Sequence, residues 1–174
     1  MPLTRSNRIQ YRNPVKEDGG RVWELIRSAG SLDVNSAYCY LMLCDYFRET
    51  CIVAEQEGEL VGFVSAFRPP GREDTLFVWQ IAVDQEQRGR GIGKELLQEL
   101  LVRCGGDRPV RYVEATISPS NQASRRLFGS ITKRYNSVCL VEKGYPADLF
   151  PGAGSHEEEC LYRIGPLQIQ HATV

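Results

Sequence analysis

TLFVWQIAVDQEQRGRGIGKELLQELL, running from Thr75 to Leu101, decides how the rest of the chain is read. Leu76, Phe77, Val78, Trp79, Ile81, Ala82 and Val83 form an almost continuous apolar run, which predicts a strand covered on both faces. The polar residues Asp84 to Gln87 end it. Arg88-Gly89-Arg90-Gly91-Ile92-Gly93 then leads into a helix whose stripe is Leu96, Leu97, Leu100 and Leu101. Strand, basic glycine turn, amphipathic helix is therefore the central unit.

Glycines at alternate positions let the backbone bend sharply and let a ligand approach without a β-carbon in the way. The free N–H groups of a helix start, at the positive end of its dipole, suit an anion. Arg88, Arg90 and Lys94 add charge to the same concavity. A phosphate or pyrophosphate held mainly by main chain is the expected ligand. Two familiar phosphate motifs fail. Gly93-Lys94 is followed by Glu95, so a Walker loop would lack its magnesium-binding hydroxyl. Gly89, Gly91 and Gly93 are also wrongly spaced for a dinucleotide fingerprint.

What fits is R-x-x-G-x-G, with Arg88, Gly91 and Gly93. This resembles the acetyl-CoA pyrophosphate loop of the GNAT family of N-acetyltransferases. A second stretch, Asn121 to Phe128, resembles that family's N-x-x-S/A-x-x-L-Y motif through Asn121, Ser124 and Leu127. The resemblance implies an α/β (α+β) GNAT fold, with a mixed, mostly antiparallel sheet flanked by helices and splayed central strands that bind acetyl-CoA. It implies that Ile81, Ala82 and Val83 pair their backbone with the pantetheine arm. Arg88, Gly89, Arg90, Gly91, Gly93 and Lys94 would hold the pyrophosphate, and Asn121 and Ser124 would contact the rest of the coenzyme. One position departs: the family's tyrosine, a proton donor to the leaving thiolate, is Phe128 here. Tyr135 is the candidate replacement; otherwise the thiolate leaves unprotonated or takes a proton from water.

Longer strings narrow the resemblance to one branch of the family, the enzymes acetylating L-2,4-diaminobutyrate in ectoine biosynthesis. They are Leu32 to Cys39, Phe67 to Pro70, Asp74 to Gln80 and Thr116 to Asn121. The branch implies transfer of acetyl to the γ-amine. An α-amine has a pKa of about 8 and a side-chain amine one of about 10, so free in water the α-amine is the readier nucleophile. The enzyme must hold the α-ammonium and aim the other amine, so position decides. Carboxylates and aromatic faces suit that task. The acceptor candidates are Asp33, Tyr38, Trp79 and Glu158, with Glu114, Tyr135 and Glu158 as catalytic candidates. Each has a plainer alternative. Asp33 and Tyr38 also fit a capped core helix and its loop, and Trp79 also fits a core. Glu114 fits a buried pairing, a base or a solvated edge. The run Glu157-Glu158-Glu159 also fits a solvent-facing loop.

The chain of 174 residues is long enough for one domain, expected over 1–174 with a core of about 8–164 and flexible polar termini. A net charge of -1 offers no general attraction to nucleic acid or anionic lipid. No apolar run approaches a membrane span or a signal peptide. Six cysteines without a C-x-x-C pair, beside only two histidines, give no zinc spacing. No metal is expected, the thiols read as reduced core residues, and the compartment reads as cytoplasmic. Many family members are homodimers, and Val138 to Ile164 offers strands for pairing.

Other elements follow from periodicity and turn chemistry. Strands are expected at 8–12, 51–55, 60–67, 110–117, 138–141 and 160–164. Helices are expected at 20–28, from Asn35 or Ser36 to Phe47, and at 122–131, and a long loop at 142–159. Trp23 is expected in the core. Two other functions stay open: acetylation of another small amine or a protein N-terminus, and a non-catalytic acyl-CoA sensor, toward which Phe128 leans.

Overall fold

The computed structural model describes residues 8–30, 32–106, 108–152 and 154–169. Among them the order is β1 (Gln10–Arg12), α1 (Gly19–Ala29), α2 (Ala37–Asp45), β2 (Cys51–Gln56), β3 (Glu59–Phe67), β4 (Thr75–Val83), α3 (Ile92–Cys104), β5 (Tyr112–Ile117), α4 (Gln122–Arg134), β6 (Val138–Tyr145) and β7 (Glu159–Gly165). The strands form a seven-stranded sheet in the order β1-β2-β3-β4-β5-β7-β6. The β1–β2, β2–β3, β5–β7 and β6–β7 pairs are antiparallel, and β4–β5 is parallel. The helix and strand order matches the expected one. The chain divides into two compact units, one of residues up to Phe67 with Gln80–Cys104, the other of Arg68–Trp79 with residues from Gly105 onward.

In the first unit β2 and β3 form a hairpin whose two turn residues, Glu57 and Gly58, both have positive φ, at 53° and 85°. That is the backbone a tight two-residue hairpin requires. Val22, Leu25 and Ile26 of α1, Tyr40, Leu43 and Cys44 of α2, and Val53 and Phe63 of the hairpin build one core. Leu96, Leu97, Leu100 and Leu101 of α3 are completely buried, as their stripe predicts. Gly62 of β3 lets α3 approach closely, since a β-carbon there would stand 2.9 Å from the Leu96 side chain. Ser36 caps α2 by accepting from the Cys39 N–H, which fixes the helix start at Ala37. That helix ends at Asp45, two residues short of the expected Phe47. Trp23 is half-buried at the edge of the core, under the Arg27 guanidinium at 4.6 Å, rather than inside it. Arg12 bridges Asp18 and Glu55, tying the turn ahead of α1 to the strands.

In the second unit β5 is the spine. Its residues Val113 to Ile117 pair with β7, and β7 pairs with β6. β5 starts at Tyr112, not Val110, because Arg111 turns its N–H to Asp74 O and its carbonyl to the Leu167 N–H. That bond also orders Leu167, which is buried. The last part of the C-terminal tail and the first seven residues lie outside the described residues. α4 extends to Arg134, a turn beyond expectation. The predicted loop 142–159 is shortened because β6 runs on to Tyr145, resuming beside Glu159 after an irregularity in the ladder past Glu142. The polar composition of that stretch hid a strand that is solvent-exposed along most of its length.

Candidate active site

β4 alternates. Leu76, Val78, Gln80 and Ala82 are buried, whereas Phe77, Ile81 and Val83 are half-buried and Trp79 is 45% exposed. The expected cover on both faces is therefore overturned, and so is the reading of Trp79 as a core residue. A continuous apolar run does not distinguish a doubly covered strand from one whose second face is kept apolar for another partner. The ladder with β5 spans only Thr75–Phe77 against Tyr112–Glu114. Ile81, Ala82 and Val83 lie in the later part of the strand, past this ladder.

The turn after β4 has the conformation that its glycines allow. Gly89 and Gly91 have φ of 79° and 81°, and a β-carbon on either would meet nothing within 4 Å. Gly93 does not need a positive φ; a β-carbon there would make ordinary contact with Val83 at 3.7 Å. Its effect is to keep the helix start unencumbered. Glu95 N–H bonds to Gly91 O, so α3 begins here with its first-turn amides pointing out of the helix. An open concavity of positive-φ glycines ahead of a helix N-terminus fits a pyrophosphate. The basic side chains do different work. Arg88 donates to Ala29 O at 2.7 Å, capping the end of α1, and Arg90 bonds Gln56 and Gln87. Lys94 is exposed. Asn121 accepts from the Ser124 N–H at 3.1 Å as the N-cap of α4, so its side-chain oxygen is already committed.

The acceptor candidates divide between the two units. In the first, Asp33 and Tyr38 are exposed, Tyr38 at 70%. The Asp33 carbonyl accepts from the buried Gln80 side chain at 3.0 Å. In the second, Glu114 is 1% exposed, which overturns a solvated edge. Its Oε1 accepts from Arg72 at 2.7 Å and from Arg163, whose guanidinium also lies over the Tyr112 ring at 3.9 Å. Oε2 is buried with no hydrogen-bond partner among the described residues. Tyr135 is half-buried at the end of α4, and Phe128 is buried within that helix.

Glu158 is exposed; its neighbour Glu157 makes the contacts, accepting from the Ser120 hydroxyl at 2.5 Å and N–H at 3.4 Å. The Ser120 hydroxyl bond holds the Glu157 carboxyl below the usual carboxylate range. His156 stacks on Phe150 at 3.8 Å, which orders the segment bearing these glutamates. Burial pushes the Cys44 and Cys51 thiols up to about 12, so these two are inert core residues. The other four cysteines are half-buried. Among the described residues no cluster of three His, Cys, Asp or Glu could hold a metal, and no helix is long and apolar enough to cross a membrane.

Sequence reasoning missed Gln80, Tyr40, Arg72 and Arg163, and singled out Glu158 rather than Glu157 from the acidic run. Gln80 had a signal: it is the one amide inside the apolar run, and a buried amide needs partners. The arginines had none, because long-range ion pairs leave no local pattern.

A positive-φ glycine cradle ahead of the α3 start, on a mostly antiparallel sheet flanked by helices, defines an acyl-CoA-dependent transferase of the GNAT fold. The Acetyltransferase (GNAT) family model matches residues 21–130, and the chain belongs to that family. Among curated relatives, the L-2,4-diaminobutyric acid acetyltransferase of Halalkalibacterium halodurans is 49% identical over 95% of this chain and 86% of that protein. Among solved structures, diaminobutyrate acetyltransferase EctA from Paenibacillus lautus, in complex with L-2,4-diaminobutyric acid and coenzyme A, superposes with a TM-score of 0.88. It is 48% identical, over 96% of this chain and 100% of that one. Ard1 from Thermoplasma volcanium shares the fold at a TM-score of 0.69 with 18% identity, covering 93% of this chain and 99% of that one.

Proposed function

We propose that this chain transfers acetyl from acetyl-CoA to the γ-amine of L-2,4-diaminobutyrate, giving N-γ-acetyl-L-2,4-diaminobutyrate for ectoine biosynthesis. The likeness along almost the whole chain to an enzyme bound to that diamine and coenzyme A carries this reading. When bound, acetyl-CoA supplies an acetyl thioester, from which the amine nitrogen gains a C–N bond as the C–S bond breaks.

The chain's own part is positioning. The backbone of β4 at Ile81 to Val83 and the amides from Gly89 to Lys94 hold the coenzyme through main chain. In the first unit Asp33 is an exposed carboxylate able to pair with an ammonium and Tyr38 an exposed ring able to offer its face; in the second, Glu158 and Trp79 are exposed in the same way, and each is taken separately as an acceptor contact. Holding the α-ammonium leaves the γ-amine as the group free to lose its proton and attack. Glu114, engaged by two guanidiniums, is better suited to fixing Arg72 and Arg163 than to taking that proton. With Phe128 apolar, Tyr135 or water supplies the proton to the thiolate; a thiol of pKa about 8.5 leaves readily enough without a strong acid.

The polar composition and the lack of any C-x-x-C spacing support a cytoplasmic protein, and the chain is read as one functional domain. Val138, Leu140, Val141 and Tyr145 of the edge strand β6 are each more than half exposed, which supports a homodimer formed through that strand. Sedimentation of wild type against Leu140→Lys tests this: a dimer converted to a monomer is expected.

Thiol release tests the activity. With acetyl-CoA present, diaminobutyrate should stimulate release far above lysine or an N-terminal peptide. Release with lysine or peptide alone would replace the acceptor, and coenzyme binding without release under any condition would leave a sensor.

A further inference from the structure

Gln80 sits mid-strand in β4 and is nearly fully buried, yet its side chain turns entirely to one short segment of the chain. Its Oε1 accepts from the Tyr40 hydroxyl at 3.1 Å, and its Nε2 donates to the Asp33 carbonyl at 3.0 Å. The Tyr40 oxygen accepts in turn from the Asn35 backbone N–H at 3.2 Å and from the Asn35 side-chain amide at 3.4 Å. Tyr40 is completely buried, its ring edge-on to Phe63 at 6.5 Å. Two buried polar side chains thus fasten residues 33–35, a stretch with neither helix nor strand. The far end of this connection is fastened too. Gln85 and Arg88, from the turn after the same strand, donate to Ser28 O and Ala29 O at 2.7 Å each.

A leucine at position 80 together with a phenylalanine at position 40 would fill similar volumes and need no partner from each other, and replacing both ends of a buried hydrogen bond in this way is often neutral for stability. The amide therefore adds little to the core that an apolar residue would not. What it adds is a fixed distance between the Asp33 backbone and the strand whose next residues, Ile81 to Val83, pair with the coenzyme. We infer that Gln80, acting with Tyr40, is a positioning residue. It holds the Asp33 segment in register with the coenzyme strand, so that the diamine's α-ammonium is bound at a set distance from the thioester. Gln80 itself touches no substrate. The inference rests on Asp33 being an acceptor contact and deepens that reading.

The test compares wild type, Gln80→Leu and Tyr40→Phe by steady-state kinetics and by the ratio of γ- to α-acetylated product. Loss of one tether should raise KM for diaminobutyrate by roughly three- to tenfold, with KM for acetyl-CoA within about twofold of wild type. The α-acetylated fraction should rise. The double variant should be no worse than Gln80→Leu alone, because both side chains serve one chain of bonds. Tyr40→Phe keeps the ring in the core, so it carries the test if Gln80→Leu folds poorly. Unchanged diaminobutyrate KM and product ratio in a folded variant would overturn the inference, as would parallel rises in both KM values or a Tyr40→Phe chain that fails to fold. If wild type does not turn over diaminobutyrate at all, the reading of the site falls and takes this inference with it; normal wild-type turnover with silent variants removes the inference alone.

Discussion

In the proposed coenzyme cradle, Gly91 is the position where backbone shape bears most directly on binding. At φ of 81° it adopts a conformation that strains any β-branched residue by about 1–3 kcal/mol, although nothing stands within 4 Å to clash with a side chain. Gly91→Val should therefore distort the turn locally, and the Kd for acetyl-CoA should weaken by roughly tenfold or more, read by calorimetry. Gly93→Ala should leave the melting temperature unchanged, because its new methyl makes only ordinary contacts with Val83 and Ile81. Equal coenzyme affinity in Gly91→Val and wild type would contradict the cradle. Glu114 is the residue whose loss the fold should feel. Glu114→Gln leaves Arg72 and Arg163 facing a neutral amide. Removing one partner of a buried pair costs about 3–5 kcal/mol, but Arg72 is half exposed, so about 1–3 kcal/mol is expected in urea unfolding. An unchanged midpoint would show that the two guanidiniums do not depend on it.

Among the elements, the start of α1 depends on an acid. Asp18 is buried and bonded to Arg12 at 2.7 and 3.1 Å, to Arg21 at 3.1 Å and to the Val15 N–H at 2.9 Å. Burial opposes its ionisation, but the Arg12 and Val15 bonds and the charges of Arg12 and Arg21 outweigh it, so its pKa lies below the ordinary value. The folded protein thus binds this proton less tightly than the unfolded chain. The stabilisation is present above the unfolded pKa of about 4 and is lost as pH falls through the folded value. Asp18→Asn should be less stable at neutral pH and should lose less on acidification than wild type; parallel stability curves would contradict this. At the same scale the sequence was informative where a pattern is local. The glycine turn, the leucine stripe of α3 and the helix start at Ser36 all follow from neighbours within a few residues. β4 was misjudged because burial on its second face depends on what lies opposite, which no run of residues records. β6 was cut short because an exposed edge strand carries no apolar alternation strong enough to mark its end.

For the whole molecule, the fold was legible because it rests on hydrophobic periodicity and glycine spacing, and the same spacing gave the proposed coenzyme cradle its place at the α3 start. The acceptor side was legible only as residue types: carboxylates and aromatics suit a diamine, but the Glu157–Ser120 bond joins residues far apart in the chain and left no local signal. Tethers such as Gln80 to Asp33 join residues distant in the chain. The whole account requires that binding geometry override intrinsic amine reactivity. Its most direct test is the position of the acetyl group in the product, read by NMR after purified protein is incubated with acetyl-CoA and L-2,4-diaminobutyrate at neutral pH. The account predicts acetyl on the γ-nitrogen in large excess, although the α-amine is the less basic of the two. Acetyl mainly on the α-nitrogen, or no acetylated diamine at all, would contradict it.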